Sequence, residues 1–186
     1  MNNLITAVSE VNDFMASKGW TYCLIRGLAV QHWGEPRTTL DADFTLITGW
    51  GQEAPYIDTL LSQFESRIPD ARQIALTHRI LLVHASNGVP VDIALGAIPF
   101  EIEMMNRATH IDLAPGCSVP CCTAEDLFIM KAFAGRPKDW GDAESILARQ
   151  PQLDVNYIRQ HLSDLCSAKK DTLTLQKALA LLGAAS

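Results

Sequence analysis

The chain has 186 residues, of which 48% are apolar and 19% charged, a balance typical of a folded globular protein and not of a disordered one. Its formal net charge of −6 argues against a dedicated nucleic-acid-binding protein, although an enzyme could still contact RNA through a local patch. A membrane-spanning run of about 18 apolar residues is missing. The N-terminal "MNNLITAVSEVNDFMASKGW" also lacks the basic start and apolar block of a signal peptide. We therefore expect a cytoplasmic protein without membrane contact.

Helical and strand periodicities alternate through the first part of the chain. The predicted elements are, in order, a helix over 2–18, the strand "TYCLIRG", the short helix "GLAVQHW", the strand "DADFTLI", a helix over 53–68, the hairpin "ILLVHAS-NG-VPVDIALG" and a helix over 100–108. Asn87-Gly88 is a turn pair typical of hairpins, and it places Asp92 in the second hairpin strand. "THIDLAPGCSVPCC" is predicted to be extended or loop.

The remainder of the chain is predicted to be helical. Thr123 is a good N-cap, with Asp126 three residues later in a box-like arrangement. The predicted helices cover 124–134, 139–149, 155–167 and 171–183. We therefore expect an α+β fold: a small mixed β-sheet core with flanking helices over 1–118, then a helical lobe over 119–186 that closes the active-site cleft.

Five cysteines are present, and three of them, Cys117, Cys121 and Cys122, follow His110 closely in sequence. Structural zinc sites normally need a second ligand pair, which is missing here. The odd cysteine count and a reducing compartment argue against a disulfide framework. Buried or loop cysteines are therefore expected.

Two aspartates, Asp41 and Asp43, flank one alanine at the start of an apolar strand. Residues i and i+2 of a strand project to the same face, about 7 Å apart, so both carboxylates can converge on one Mg²⁺. If the strand of Asp92 lies beside this one, three acids meet and repel each other, and a divalent cation relieves the conflict. The alternative is a surface turn, since "LDAD" by itself is weak evidence.

The segment "LIRGLAVQHWGEPRTTLDADFTL" resembles the signature of the DNA polymerase beta-like nucleotidyltransferase superfamily. That signature is a strand, a Gly-Gly or Gly-Ser turn that opens a helix, a D-x-D strand and a third Asp on a later strand. The pattern G-x-A followed by R-x-T-x-D-x-D is especially similar to the AbiEii/AbiGii toxin-type nucleotidyltransferases. "DLFIMKAFAGRPKDWGDAESIL" resembles the helical lysine and the basic-Asp-x-x-Asp segment of the same group.

The resemblance implies transfer of a nucleoside monophosphate from an NTP to an acceptor hydroxyl, with release of pyrophosphate. Asp41 and Asp43 would hold Mg²⁺, with Mn²⁺ as an alternative, and Asp92 would be a third ligand or a base on the acceptor. Lys131 would contact nucleotide phosphate. Asp139 or Asp142 would order that lysine or contact the nucleotide.

The turn and loop before the D-x-D strand would contribute further nucleotide contacts. Gly27 would open the helix whose amide groups face the triphosphate. Arg37 and Thr39 would contact phosphate, with a solvated arginine and a plain turn as the alternatives. Arg26 stands where the signature has a small residue, so it would either contact phosphate or block the site.

Two rival functions stay open. Arg26 favours a catalytically inactive nucleotide-binding or partner-binding module of the same fold. A metal-dependent phosphohydrolase ranks behind it, because paired histidine ligands are missing from the sequence. The acceptor could be a tRNA end, a protein hydroxyl or a small molecule such as an aminoglycoside, and the toxin-like resemblance implies an antitoxin partner.

Overall fold

The computed structural model of the chain describes residues 3–184. The chain divides into two compact units. The first unit runs to Leu28 and continues over Thr38–Cys122, and the second consists of Ala29–Arg37 and the chain from Thr123 onward. None of the helices in the described residues is long and apolar enough to cross a membrane. The functional domains 1–118 and 119–186, and the closure of a cleft between them, stay predictions.

The first unit is built on a mixed seven-stranded sheet with the strand order β3-β4-β5-β2-β1-β7-β6. Its elements are α1 (Asn3–Ser17), β1 (Tyr22–Leu24), the start of α2 (Arg26–Trp33), β2 (Ala42–Ile47), α3 (Ala54–Gln63), β3 (Glu65–Ser66), α4 (Ala71–His78), β4 (Ile80–His84), β5 (Pro90–Gly96), α5 (Pro99–Arg107), β6 (Thr109–Ala114) and β7 (Cys117–Cys121).

The centre of the sheet carries the apolar core of this unit. Strand β2 pairs antiparallel with β1 on one side and parallel with β5 on the other. Phe44 and Leu46 of β2 and Ile93 of β5 are fully buried. Strand β2 has a neighbouring strand on each edge and is buried on both faces. Neither set of its alternate side chains therefore faces solvent, which explains the nearly continuous apolar run after Asp43.

One part of this unit differs from the sequence-based prediction. The helix expected over 53–68 ends at Gln63, since Phe64 is extended, and the chain then adds the edge strand β3 and the unpredicted helix α4. Helix α4 buries Ala71 and Ala75, and such small side chains give little apolar periodicity to detect. The segment predicted to be extended or loop is extended, and it forms the antiparallel pair β6–β7.

The second unit contains the remainder of α2 and the C-terminal helices α6 (Ala124–Ala134), α7 (Pro137–Arg149), α8 (Val155–Lys169) and α9 (Thr172–Ala184). Thr123 caps α6 as predicted, since its Oγ1 accepts a hydrogen bond from the Asp126 amide at 3.3 Å. Helix α7 begins before the predicted residue 139, because Pro137 suits the first helical turn. The predicted α+β fold with a mixed sheet and C-terminal helices is confirmed.

Candidate active site

Three carboxylates converge in the first unit and form what we call the acid cluster: Asp41, Asp43 and Asp92. Asp43 and Asp92 are directly paired in the parallel register of β2 and β5, and Asp41 immediately precedes β2. One oxygen from each residue lies within 4.8 Å of the others. The expected meeting of the three acids on neighbouring strands is therefore observed, whereas their roles as metal ligands stay predictions.

The acid cluster is partly buried. The side chain of Asp43 is only 5% exposed, and that of Asp92 is 19% exposed. Burial raises the pKa of Asp43, the charge and hydrogen bond of Arg26 oppose that rise, and the charges of Asp41 and Asp92 add to it. A buried carboxylate beside two others requires positive charge nearby, and the oxygen-only donor set suits a hard divalent cation.

Two arginines supply positive charge to the acid cluster. Nη1 of Arg26 lies 2.9 Å from Oδ1 of Asp43 and 3.7 Å from Oδ2 of Asp92. Nη1 of Arg67 lies 2.5 Å from Oδ1 of Asp92. Arg67 was missed by sequence reasoning, because it follows a two-residue strand and belongs to no motif. Arg26 thus contacts carboxylates, and its predicted contact with nucleotide stays a prediction.

The backbone of Arg26 explains why the signature prefers a small residue at this position. Its φ of 55° lies in the left-handed region, which glycine adopts freely and other residues adopt at a cost of about 1–2 kcal/mol. The guanidinium contacts with Asp43 and Asp92 contribute to offsetting that strain. The arginine therefore keeps the turn of the signature while it adds a charge beside the acid cluster.

Gly27 and Thr39 fit together at the start of α2. A Cβ atom on Gly27 would lie 2.3 Å from Oγ1 of Thr39, so a larger residue would displace that threonine. Oγ1 of Thr39 donates a hydrogen bond to Oδ1 of Asp41 at 2.8 Å. Gly27 therefore makes room for the hydroxyl that orients Asp41, and the predicted phosphate contacts of both residues stay predictions.

The second unit contains its own set of paired charges, which we call the charge network: Arg37, Lys131, Arg136, Asp139 and Asp142. Lys131 is 4% exposed, and its Nζ lies 3.2 Å from Oδ1 of Asp139 and 2.7 Å from Oδ2 of Asp142. The lysine is thus buried and does not extend to solvent. Two carboxylates of α7 neutralise its charge, and its predicted contact with nucleotide phosphate stays a prediction.

The same two carboxylates each have an arginine partner. Arg37 donates to both oxygens of Asp142 at 3.0 and 3.1 Å, and Arg136 donates to Asp139. Burial acts to raise the pKa of Asp139 and of Asp142. Hydrogen bonds from Arg136 or Arg37, together with the Lys131 charge, outweigh burial, and both pKa values lie below the ordinary range. Arg37 is therefore ion-paired with Asp142 while its side chain is 35% exposed, and its predicted phosphate contact stays a prediction.

The cysteines do not add a second candidate site. Cys117, Cys121 and Cys122 are buried and free, as expected. Within residues 3–184, the acid cluster is the group of three or more His, Cys, Asp or Glu side chains close enough to share a metal ion. The candidate metal ligands in the described part of the chain are therefore carboxylate oxygens.

Solved structures with the same fold are nucleotidyltransferase-like proteins. A protein described as an antigenic nucleotidyltransferase-like protein from Paracoccidioides brasiliensis aligns with a TM-score of 0.55 and 18% identity over 95% of this chain and 93% of its own. The antibiotic-resistance factor ANT(2'')-Ia aligns with a TM-score of 0.60 and 13% identity over 89% and 92% of the two chains. The lincosamide antibiotic adenylyltransferase LnuA aligns with a TM-score of 0.51 and 12% identity over 76% and 94%.

Sequence comparison gives the more specific result. No curated protein matches the chain closely in sequence. The model of the family described as nucleotidyl transferase AbiEii toxin, type IV toxin–antitoxin system, matches residues 27–184. This match covers most of the chain, including all three acids, and it agrees with the resemblance seen in the motifs. The protein therefore belongs to the AbiEii family of nucleotidyltransferase toxins.

Proposed function

We propose that the protein transfers a nucleoside monophosphate from an NTP to an acceptor hydroxyl, with a divalent cation bound at the acid cluster. The observation that carries the proposal is the register of β2 and β5, which sets Asp43 beside Asp92 and brings the ligand oxygens of the three acids within 4.8 Å. Family membership supplies the class of reaction, and the acid cluster supplies the place for it.

The residues of the acid cluster fit Mg²⁺, with Mn²⁺ as the alternative. Carboxylate oxygens are the donors that both ions prefer. Asp43 is 5% exposed, and its negative charge with those of Asp41 and Asp92 favours a bound cation. When bound, the cation would screen the charge of the triphosphate and favour ionisation of the acceptor hydroxyl.

The chain's own residues position the reactants. The acceptor oxygen attacks the α-phosphorus, the bond from that phosphorus to the bridging oxygen breaks, and pyrophosphate leaves with the bonding pair. The proton of the acceptor passes to a carboxylate. We assign this role to Asp92, because its side chain is more exposed than that of Asp43, 19% against 5%. The alternative role of Asp92 is that of a third metal ligand.

The second unit would contribute to nucleotide binding through α6 and α7. Lys131 lies between Asp139 and Asp142, and Arg37 is fixed by Asp142. In this proposal the acids hold the cationic side chains in place, and the lobe over 119–186 closes on the nucleotide. The phosphate contacts of Arg26, Gly27, Arg37, Thr39 and Lys131 belong to the same proposal.

Family membership supports the proposed partner and the proposed class of acceptor. A toxin of a type IV toxin–antitoxin system would act on a cellular RNA or protein hydroxyl and be countered by an antitoxin. The solved relatives include proteins described as an antibiotic-resistance factor and a lincosamide adenylyltransferase, so a small-molecule acceptor is the alternative. Cytoplasmic location belongs to this proposal, since NTPs, RNA and antitoxin are all present there.

The test is incubation with each of the labelled NTPs, Mg²⁺ and either cellular RNA or a protein extract. We expect label transfer to one class of acceptor, and its loss in Asp43→Asn. Nucleotide binding without transfer to any acceptor would instead support the inactive binding module, which the contact of Arg26 with Asp43 favours. Release of phosphate or nucleoside monophosphate without an acceptor would support the phosphohydrolase.

A further inference from the structure

We propose that Arg26 and Arg67, the arginine pair, act as exchangeable counterions of the acid cluster. In the nucleotide-free protein they neutralise Asp43 and Asp92. They transfer to the triphosphate when nucleotide and divalent cation bind together. The inference rests on the proposed function and adds a binding role for Arg67, a residue outside the motifs of the family resemblance.

The contacts of the arginine pair involve oxygens that a cation needs. Arg26 lies against Oδ1 of Asp43 and near Oδ2 of Asp92, and Arg67 lies against Oδ1 of Asp92. Both oxygens of Asp92 therefore face a guanidinium. A cation that binds Asp92 competes with the arginines for the same two oxygens, because like charges repel each other when they share one carboxylate.

Charge explains why displacement requires the nucleotide. Three carboxylates and two guanidinium groups leave a formal charge of −1. A divalent cation added to this arrangement would meet two nearby positive charges that have lost their partners. A triphosphate supplies those partners, since guanidinium groups bind phosphate oxygens in a forked geometry. The cation alone should therefore bind weakly, and cation and triphosphate should bind with positive coupling.

The two arginines are partly exposed and able to move, in contrast to the buried Lys131 of the charge network. The side chains of Arg26 and Arg67 are 42% and 29% exposed, whereas that of Lys131 is 5% exposed. A partly exposed arginine can rotate about several side-chain bonds without opening the core. Arg26 also occupies a left-handed backbone position that glycine would fill without strain, which points to a function for its side chain.

The experiment measures binding of Mn²⁺ by titration calorimetry, alone and with inorganic tripolyphosphate, after correction of the free Mn²⁺ concentration for Mn²⁺ bound to tripolyphosphate. The variants are Arg67→Gln and Arg26→Gly, the latter a residue suited to the left-handed turn. Arg72→Gln is the matched control, because Arg72 pairs with Asp58 and not with the acid cluster. Asp43→Asn identifies the binding site, and the melting temperature of each variant checks its folding.

In the wild-type protein and in Arg72→Gln, tripolyphosphate should raise the Mn²⁺ affinity about tenfold or more, within the usual range of coupling between two sites. Arg67→Gln and Arg26→Gly should bind Mn²⁺ alone about three- to tenfold more tightly, and tripolyphosphate more weakly. Should Arg26→Gly fail to fold, Arg67→Gln decides the question by itself.

Equal Mn²⁺ affinities in the wild type and Arg67→Gln, with binding still abolished in Asp43→Asn, would overturn the counterion role and leave the proposed function intact. Mn²⁺ binding that is unaffected by Asp43→Asn, or absent from every protein with and without tripolyphosphate, would overturn the metal site and this inference with it.

Discussion

Asp43 and Asp92 lie opposite each other on two parallel strands, 49 positions apart in sequence (92 − 43) and adjacent in the sheet. Both belong to segments that are apolar on either side. The backbone hydrogen bonds of the sheet therefore fix the separation of the two aspartates. This separation does not depend on the conformation of a loop.

The first prediction tests that pair. Asp43→Asn keeps the volume of the side chain and removes one negative charge, so nucleotidyl transfer should fall by at least about a hundredfold, the scale of losing one charge-stabilising group in an active site. The fold should be kept, because Asn can still accept a hydrogen bond from Arg26. Transfer rate and circular dichroism measure the two effects. A variant with full activity would remove Asp43 from the catalytic machinery.

The second prediction concerns the close approach of Gly27 to Thr39. Gly27→Ala places a methyl group within 2.3 Å of Oγ1 of Thr39, and should destabilise the protein by about 1–3 kcal/mol. Urea unfolding measures the change. Gly141→Ala is the control, since Gly141 lies in α7 with open space around it. This change should stabilise the protein by about 0.5–1 kcal/mol. Equal effects of both changes would mean that the side chain of Thr39 moves aside without a cost in stability.

The third prediction separates the hydroxyl of Thr39 from its shape. Thr39→Val removes the hydrogen bond to Asp41, and a bond to a charged group contributes about 1.5–3 kcal/mol, so Mn²⁺ affinity and transfer rate should fall roughly ten- to hundredfold. Thr39→Ser retains the hydroxyl and should restore most of both. If Thr39→Ser behaves like Thr39→Val, the methyl group of Thr39 is what matters.

The fourth prediction concerns the contribution of Lys131 to the stability of the second unit. Lys131 is buried between Asp139 and Asp142, and removal of one partner from a buried ion pair costs about 3–5 kcal/mol. We therefore expect a lower urea midpoint for Lys131→Ala. Lys138→Ala is the control on an exposed lysine and should change stability by less than about 0.5 kcal/mol. Similar midpoints for both variants would contradict the charge network.

The fifth prediction is a pH dependence of stability in the second unit. The pKa values of Asp139 and Asp142 lie below their unfolded value of 3.8. For a carboxyl group with a depressed folded pKa, the stabilisation is complete above the unfolded value and is lost as the pH falls through the folded one. The urea midpoint of the wild type should therefore fall more steeply below about pH 4 than that of Asp142→Asn. Parallel curves for the two proteins would exclude a lowered pKa of Asp142.

The acid cluster could be predicted from sequence because strand geometry is local. Alternation places Asp41 and Asp43 on one face, and the hairpin through Asn87-Gly88 identifies the strand of Asp92. The sequence leaves the pairing of that strand with β2 open, and the structure shows the two strands in parallel register. The N-cap at Thr123 was equally local.

The electrostatic partners could not be predicted in this way. Arg67 reaches Asp92 only because the edge strand β3 pairs with β4, and a two-residue strand leaves no periodic signal. The partners of Lys131 depend on how α6 and α7 pack, since Asp139 and Asp142 lie on the next helix. Charged side chains occur throughout a sequence, and only tertiary structure decides which of them meet.

The position of β2 within the sheet has a consequence for the lifetime of the site. Hydrogen bonds run from β2 to β1 on one edge and to β5 on the other, so Asp43 can separate from Asp92 only if ladders open deep inside the sheet. Openings of that kind approach the free energy of global unfolding, and the amides of Phe44 and Ile93 should be among the last to exchange with deuterated solvent. A destabilising substitution elsewhere in the first unit should then lower the amount of folded protein in a cell. The molecules that remain folded should keep Asp43 and Asp92 in register.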